Sequence, residues 1–134
     1  MRRFVFAAHF RSKANDDPGR RLAEAQAARD IVQRVAAAQP GVLTVLAGDL
    51  NDVPGSPPLE ALEANGGLFR VAKELPVDQQ ATYVFNGSGE AIDHLLEATE
   101  PPAYVEGTSA VTRVSRATSS SDHWPLTASF SATR

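Results

Sequence analysis

The sequence contains no cysteine in its 134 residues. Disulfide bonds, thiolate zinc sites and cysteine nucleophiles are therefore excluded. Long apolar runs are also lacking, and none approaches the roughly 20 residues that a membrane-spanning helix needs. The apolar stretch from Phe4 to Ala8 is too short for a signal peptide, and basic residues follow it closely. The sequence thus predicts one folded domain without a membrane span, and it leaves the cellular location undecided.

Positive charge is concentrated near the amino terminus, although the whole chain carries a net charge of −3. Residues 2–34 hold eight of the 13 Lys and Arg residues but only four of the 16 Asp and Glu residues. This excess favours one of two interpretations. It is either a local patch that faces the phosphates of a nucleic acid, or a helix face that is simply solvated.

The first third of the chain has the pattern of a β-α-β unit. Arg3 to His9 alternates as a strand does, and from Arg20 to Ala38 the apolar residues recur at helical spacing. The uncharged, mostly branched run from Val42 to Ala47 predicts a strand that is buried on both faces. Because such a unit places its strands side by side, we expect His9 and Asp49 to emerge at one sheet edge.

Two parts of this unit are expected to be irregular. Ser12 to Gly19 is polar and contains a Pro-Gly pair, so it predicts a loop. Gly48 is expected to let the backbone turn sharply where the second strand leaves the core.

Shorter elements are predicted in the rest of the chain. Ser56 before Pro57 is typical of an N-cap, and it opens a short helix that ends at Asn65. Asn86-Gly87 predicts a turn between two strands. The predicted strands are Thr82 to Phe85, Ile92 to Glu97, Tyr104 to Val114, and Leu126 to Phe130.

Four clusters of polar residues lie at the ends of predicted strands, where the loops of an α/β sheet converge on a crevice. The clusters are His9 in His-Phe-Arg-Ser-Lys, Asp49 and Asn51 in Gly-Asp-Leu-Asn, Asp93 in Ile-Asp-His, and Asp122-His123 in Ser-Asp-His-Trp-Pro. Taken alone, each cluster is most simply explained by a turn or a cap. Together they predict a site for a metal, a water or a phosphate.

These clusters, in this order, resemble the endonuclease/exonuclease/phosphatase superfamily. Its members are metal-dependent phosphoesterases and include deoxyribonuclease I and abasic-site endonucleases. The segments Ala81-Thr82-Tyr83-Val84-Phe85 and Ala91-Ile92-Asp93-His94-Leu95-Leu96 resemble the bacterial extracellular nuclease branch most. That branch implies that the parent protein is secreted.

The resemblance implies an α/β fold, the carboxyl-terminal half of the deoxyribonuclease I-like four-layer α/β sandwich. Residues 1–134 would then form a single, partial domain. The family's earlier strands carry an asparagine and a metal-binding glutamate, for which we find no segment before Phe4. We therefore expect a domain fragment or a truncated reading frame. One sheet would then expose an edge and an apolar face, through which the chain could self-associate.

The resemblance also implies a divalent metal ion, either Mg²⁺, Mn²⁺ or Ca²⁺. Asp122 is the implied metal ligand, normally beside the family's glutamate. Asp49 would position or deprotonate the attacking water. Asn51 would bind the phosphate or orient Asp49.

Two histidines complete the implied site. His123 would act as a general base or contact the phosphate, because imidazole changes its charge near neutral pH. Asp93 would fix the tautomer of His123, as an aspartate does in a hydrolase triad. His9 would donate a hydrogen bond to a non-bridging phosphate oxygen. By contrast, we predict structural roles for His94 and Trp124, and a turn or cap role for Asp52.

Three functions remain open at this point. The first is a Mg²⁺-dependent nuclease that cleaves phosphodiesters in DNA or RNA, with nucleic acid as its partner. The second is a phosphatase or a lipid or small-molecule phosphodiesterase of the same fold. The third is a catalytically incomplete fragment, because the family's glutamate is missing. Neither the choice between DNA and RNA nor that between internal and terminal cleavage follows from the sequence.

Overall fold

A four-stranded sheet with a long helix packed against it forms the main body of the chain. The computed structural model describes residues 2–115 and 119–131. In chain order the elements are β1 (Arg3–His9), α1 (Pro18–Ala38), β2 (Leu43–Asp49), α2 (Pro57–Glu63), β3 (Phe69–Arg70), β4 (Tyr83–Phe85), β5 (Ser88–Glu90), β6 (Asp93–Glu97), β7 (Ala110–Val111) and β8 (Leu126–Thr127). The strand order of the main sheet is β1-β2-β6-β3, and β4 with β5 and β7 with β8 form two-stranded sheets. This mixed α/β architecture is the one that the sequence predicts.

The predicted β-α-β unit is confirmed. β1 and β2 pair in parallel, so that His9 lies opposite Asp49 where both strands end. α1 covers one face of the sheet, and its buried residues Ala25 and Val32 pack in one cluster with Leu46 of β2. The helix therefore holds the two strands, and with them the two polar side chains, at a common edge.

α1 begins earlier than the sequence predicts. The helix starts at Pro18, inside the predicted loop from Ser12 to Gly19. Asp17 is its N-cap, and the Asp17 side chain accepts a hydrogen bond from the amide of Arg20 at 3.0 Å. Proline suits the first turn of a helix, because an N–H at that position has no partner within the helix. The Pro-Gly pair thus opens a helix here and does not form a turn.

The Asn86-Gly87 turn connects a different pair of strands from the predicted one. It joins β4 to β5, and its two residues have φ values of 48° and 79°. These left-handed values are typical of two-residue hairpin turns. β6 instead pairs with β2 and places Asp93 opposite Asp49. The predicted pairing was wrong because Ser88–Glu90 has no apolar alternation that would mark it as a strand.

The remaining short elements differ from prediction mainly in length. α2 ends at Glu63, and Ser56 precedes it without making a side-chain capping hydrogen bond. The last two predicted strands are reduced to β7, β8 and an isolated bridge between Tyr104 and Phe130. These segments still pair with each other near the end of the described chain.

The core lies between the main sheet and the two helices. Its buried residues are Phe10, Ala25, Val32, Leu46, Leu50, Leu59, Leu62, Leu68 and Leu96. Full burial of a leucine contributes about 1.5–3 kcal/mol. Leu50 lies between Asp49 and Asn51, so an apolar side chain in the core anchors the loop that carries these two polar residues.

The outer strand β1 exposes one of its faces. Val5 on this face is 64% exposed, and β1 forms one edge of the main sheet. Self-association through this edge stays a prediction. Within residues 2–115 and 119–131, no helix combines the length and the apolar character needed to cross a membrane.

Candidate functional site

Backbone pairing brings all four polar clusters to one end of the main sheet. His9 lies opposite Asp49, and Asp49 lies opposite Asp93. An isolated bridge between Tyr83 and His123 brings the near-terminal segment to the same place. Residues from distant parts of the chain therefore meet at the carboxyl ends of β1 and β2.

Gly48 permits a close approach of β1 and β2 at this end. It lies within β2, pairs with Ala8 and has a φ of 149°. A Cβ at this position would lie 1.9 Å from the carbonyl oxygen of Ala8. The prediction that Gly48 turns the backbone was wrong, because the strand continues to Asp49. The glycine is required by the neighbouring backbone, which leaves no room for a side chain.

Asn51 holds the Asp49 side chain in place. The Asn51 amide donates to Oδ1 of Asp49 at 2.9 Å, and Nδ2 of Asn51 donates to the Phe10 carbonyl oxygen at 2.9 Å. Asn51 has a φ of 52°, which asparagine tolerates. Oδ2 of Asp49 lies 3.7 Å from Nε2 of His9 and 3.9 Å from Nε2 of His123. One carboxylate oxygen is therefore fixed, while the other faces two imidazoles.

Asp93 and His123 form a hydrogen-bonded pair. Nδ1 of His123 donates to Oδ2 of Asp93 at 2.6 Å. An ionised carboxylate only accepts hydrogen bonds, so this contact places a proton on Nδ1. The Tyr83 ring lies against the imidazole, with 5.0 Å between ring centroids. Asp93 and Tyr83 together fix the orientation in which Nε2 of His123 faces Asp49.

Three carboxylates surround the His123 imidazole. Partial burial lowers the pKa of His123, but the hydrogen bond to Asp93 and the charges of Asp93, Asp49 and Asp122 outweigh it. The net result is a pKa above the ordinary value of 6.5. The protonated imidazole therefore persists to higher pH than in an isolated histidine.

Asp49, Asp93 and His123 form a group that could hold a metal ion. Each offers one ligand atom, and these atoms all lie within 4.8 Å of one another. Two carboxylates and an imidazole are a donor set that suits divalent cations. Asp122 lies beside this group, with Oδ1 3.9 Å from Nε2 of His123, and its side chain is 60% exposed. The predicted role of Asp122 as a ligand stays a prediction.

A cavity of about 520 Å³ opens next to His123. Two aromatic side chains form part of its wall, and Phe85 is 55% exposed there. The aromatic pair is Tyr83 and Phe85, and the other lining residues include polar and charged groups: Ser12, Lys13, Asn51, Glu90, Asp122 and His123. The cavity thus combines the positively charged side chain of Lys13, a flat aromatic surface and the candidate catalytic side chains.

A buried ion pair supports the site and was missed by the sequence analysis. Arg21 is only 3% exposed, and its Nε donates to Oδ2 of Asp52 at 3.0 Å. Two further charged residues lie beside this pair. Oδ1 of Asp16 is 2.5 Å from Nη1 of Arg21, and Nζ of Lys13 is 3.6 Å from Oδ1 of Asp52. Burial raises the pKa of Asp52, but the contacts with Arg21, the Val53 amide and Lys13 lower it overall. Arg21 is thus structural and does not belong to a solvated helix face.

His94 lies on the opposite face of β6 from the candidate site. It is buried, and its Nε2 lies 2.9 Å from the Asp52 carbonyl oxygen. Burial lowers the pKa of His94 to about 4. His94 is therefore neutral near pH 7, in keeping with its predicted structural role. Trp124 also packs structurally, since its Nε1 donates to the Val114 carbonyl oxygen at 2.9 Å.

Comparisons with known proteins give a matching family and several solved structures with a similar fold. A model of the Endonuclease/Exonuclease/phosphatase family matches residues 3–123. A comparison with curated proteins finds no significant match. Among solved structures, truncated TDP2 from Caenorhabditis elegans is similar, with a TM-score of 0.73 and 20% identity. The alignment covers 96% of this chain and 54% of that one.

Two structures from Bacteroides thetaiotaomicron are also similar. A mannosyl-6-phosphatase has a TM-score of 0.67 and 16% identity, and the match covers 96% of this chain and 51% of that one. An endonuclease/exonuclease/phosphatase family protein has a TM-score of 0.64 and 17% identity, with 92% and 47% covered. The chain therefore spans about half the length of the solved structures that it resembles. At these identities the likeness concerns the fold.

Proposed function

The chain belongs to the endonuclease/exonuclease/phosphatase family, and from this premise we propose that it hydrolyses phosphoesters at Asp49, Asp93 and His123. The observation that carries the proposal is the 2.6 Å hydrogen bond between His123 and Asp93. It leaves Nε2 of His123 facing a second carboxylate at 3.9 Å. An imidazole oriented by one carboxylate beside another is suited to moving protons during hydrolysis.

Each side chain has a separate role in the proposed reaction. Asp49 accepts the proton of the attacking water through Oδ2, while Asn51 holds Oδ1 at 2.9 Å. The oxygen of that water bonds to phosphorus, the bond from phosphorus to the ester oxygen breaks, and the leaving oxygen takes a proton from solvent water to become an alcohol. His123 donates from Nε2 to a phosphate oxygen, which its raised pKa favours. His9, whose side chain is 74% exposed, donates to a non-bridging oxygen from the solvent side.

We further propose that the reaction requires a divalent cation. Asp93 and Asp122 would hold it through oxygen, the ligand atom that Mg²⁺ prefers, so that Oδ2 of Asp49 stays free to accept the proton of the attacking water. When bound, such an ion stabilises the charge that develops on the phosphoryl and leaving oxygens. The carboxylates of the chain would thereby place it where the substrate phosphate meets Asp49 and His123.

The proposed substrate is a nucleic acid. The cavity beside His123 supports this choice, because Tyr83 and Phe85 offer aromatic surfaces on which a base can stack. Lys13 lies in the same cavity and supplies a positive charge for a neighbouring phosphate. A base and the next phosphate would thus each find a matching surface.

A sugar phosphate is the second candidate substrate. One of the similar solved structures is a mannosyl-6-phosphatase, and an aromatic surface also suits a sugar ring. A nucleic acid and a sugar phosphate differ in the ester that is cleaved, since the first is a diester and the second a monoester. Substrate preference therefore separates the two proposals.

The test uses the purified chain with four substrates: single-stranded DNA, RNA, bis-p-nitrophenyl phosphate and mannose 6-phosphate. Each is incubated with Mg²⁺, with Mn²⁺ and with excess chelator. We expect cleavage of the diesters, dependence on the added cation and loss of turnover in Asp49→Asn and His123→Ala. Asp30→Asn is the matched control, because Asp30 is exposed on α1.

Three results would count against these proposals. Turnover that persists in excess chelator would contradict the metal requirement. Hydrolysis of mannose 6-phosphate alone would favour the sugar phosphate over the nucleic acid. A folded chain that cleaves none of the four substrates would contradict the proposed activity of this chain.

A further inference from the structure

Thr82 is a fully buried polar residue that lies outside the group of side chains described above. Its Oγ1 accepts hydrogen bonds from the amides of Ile92, at 3.3 Å, and Asp93, at 3.1 Å. The hydroxyl of Thr82 therefore fixes the backbone from which the Asp93 carboxylate extends.

The main chain of Thr82 holds the other half of the Asp93–His123 pair. Its carbonyl oxygen accepts a hydrogen bond from the amide of Trp124 at 2.7 Å. Trp124 directly follows His123, and the adjacent Tyr83 forms a bridge with His123. One short segment thus contacts the backbone on both sides of the 2.6 Å hydrogen bond.

The strand end whose amides bind the Thr82 hydroxyl also contacts the loop that carries Asp49. The carbonyl oxygen of Ile92 accepts a hydrogen bond from the Leu50 amide at 2.9 Å. Leu50 lies between Asp49 and Asn51, so the strand end held by Thr82 also holds this loop. Three segments of the site are therefore linked through Thr82 and the strand end beside it, and the buried hydroxyl group makes the contacts with the amides of Ile92 and Asp93.

We propose that Thr82 is a positioning residue that sets the distance between Asp93 and His123. The proposal rests on the proposed function, in which this pair orients the imidazole for phosphoester hydrolysis. Thr82 touches no reacting atom, and its effect passes through the backbone of Asp93 and Trp124. Small displacements of oriented groups are costly, because catalysis depends on the alignment of the reacting atoms.

The chemistry of threonine explains why the side chain matters. Valine has nearly the same shape but no oxygen, so Thr82→Val leaves the amides of Ile92 and Asp93 without their acceptor. Thr82→Ser keeps the hydroxyl and loses only a methyl group. Thr44→Val is the matched control, since Thr44 is also fully buried and its Oγ1 donates to the Val42 carbonyl oxygen at 3.0 Å. Thr44 lies near the opposite end of β2 from Asp49.

The first measurement is the steady-state kinetics of these three variants with bis-p-nitrophenyl phosphate. We expect kcat of Thr82→Val to fall on the order of 10- to 100-fold, with little change in KM. Thr82→Ser should recover most of kcat, and Thr44→Val should keep it. An equal loss of kcat in Thr44→Val would overturn the proposal, because buried threonines in general would then be responsible.

The second measurement does not require turnover. The His123 Nδ1 proton that is shared with Asp93 gives a downfield NMR resonance, which is assigned by its absence in His123→Ala. We expect this resonance to be lost or shifted in Thr82→Val and kept in Thr82→Ser and Thr44→Val. A resonance unchanged in Thr82→Val would refute the positioning role. If the wild-type chain shows no turnover, the proposed function fails, and this resonance alone decides the role of Thr82.

Discussion

His123 and Asp93 are 30 residues apart in the chain, yet their side chains share a hydrogen bond of 2.6 Å. The contact depends on two different pairings, that of β6 with β2 and that of His123 with Tyr83. The first pairing positions Asp93 and the second positions His123. The hydrogen bond between their side chains therefore forms only when both pairings are intact.

Replacement of Asp93 should change the titration of His123. Asp93→Asn removes the charge that contributes to the raised pKa of His123, so this pKa should fall in the metal-free chain. NMR titration of the imidazole in excess chelator measures the midpoint. Asp30→Asn should leave the midpoint unchanged. The same midpoint in wild type and Asp93→Asn would contradict the electrostatic role of Asp93.

The sign of the associated stability change follows from linkage. The folded-state pKa of His123 is raised, so the protonated imidazole stabilises the folded chain below the unfolded pKa near 6.5. This stabilisation is lost as pH rises through the folded value. Asp93→Asn should therefore lower the free energy of unfolding more below about pH 6.5 than at alkaline pH, which urea unfolding at several pH values measures.

His94 should make the chain less stable in acid. Its pKa is about 4 in the folded chain against 6.5 ordinarily, so the unfolded state binds a proton first as pH falls. The free energy of unfolding should decrease between about pH 6.5 and pH 4, by roughly 3 kcal/mol from this residue. Urea unfolding at several pH values should give a smaller decrease for His94→Leu. Equal pH dependence in both chains would contradict the prediction.

Loss of Arg21 should destabilise the fold far more than loss of its neighbour. Arg21→Met leaves the buried Asp52 carboxylate without its main partner, which costs about 3–5 kcal/mol. Arg20 is the control, since its side chain is mostly exposed and contacts only Glu24 among the ion pairs of the described residues. Arg20→Met should change the free energy of unfolding by less than about 1 kcal/mol. Similar losses in the two variants would disprove the importance of burial.

A side chain at position 48 should disrupt the pairing of β1 with β2. In Gly48→Ala the new Cβ would lie 1.9 Å from the Ala8 carbonyl oxygen, so one backbone has to move. Gly41→Ala is the control, because Gly41 also has a positive φ, 74°, but nothing within 4 Å of its Cβ position. We expect Gly48→Ala to have a clearly lower urea midpoint than Gly41→Ala. Equal midpoints would show that the strands can separate without cost.

The sequence predicts best the elements whose signals are local. β1, α1 and β2 follow from apolar spacing, because α1 needs one buried face and β2 needs two. The start of α1 was mispredicted, since Pro-Gly signals either a turn or a first helical turn. Only the hydrogen bond from the Arg20 amide to Asp17 distinguishes the two.

Features that depend on distant partners could not be predicted in the same way. Asn86-Gly87 indicates a turn, but nothing within the turn indicates that β6 pairs with β2. Likewise, nothing in the local sequence distinguishes Arg21 from its neighbour Arg20. The burial of Arg21 depends on Asp52, which is 31 residues away. The candidate side chains were found because their motifs resemble those of a family, whereas the role of Thr82 depends on its hydrogen bonds to the amides of Ile92 and Asp93, ten and eleven residues away.

The central place of β2 in the main sheet has a consequence for folding. It pairs with β1 across the α1 crossover and with β6 across more than forty intervening residues. Contacts of such long sequence separation form slowly, because the entropy of closing the loops is lost before the contacts compensate for it. During refolding, helical structure should therefore return before the arrangement of Asp49, Asp93 and His123 does.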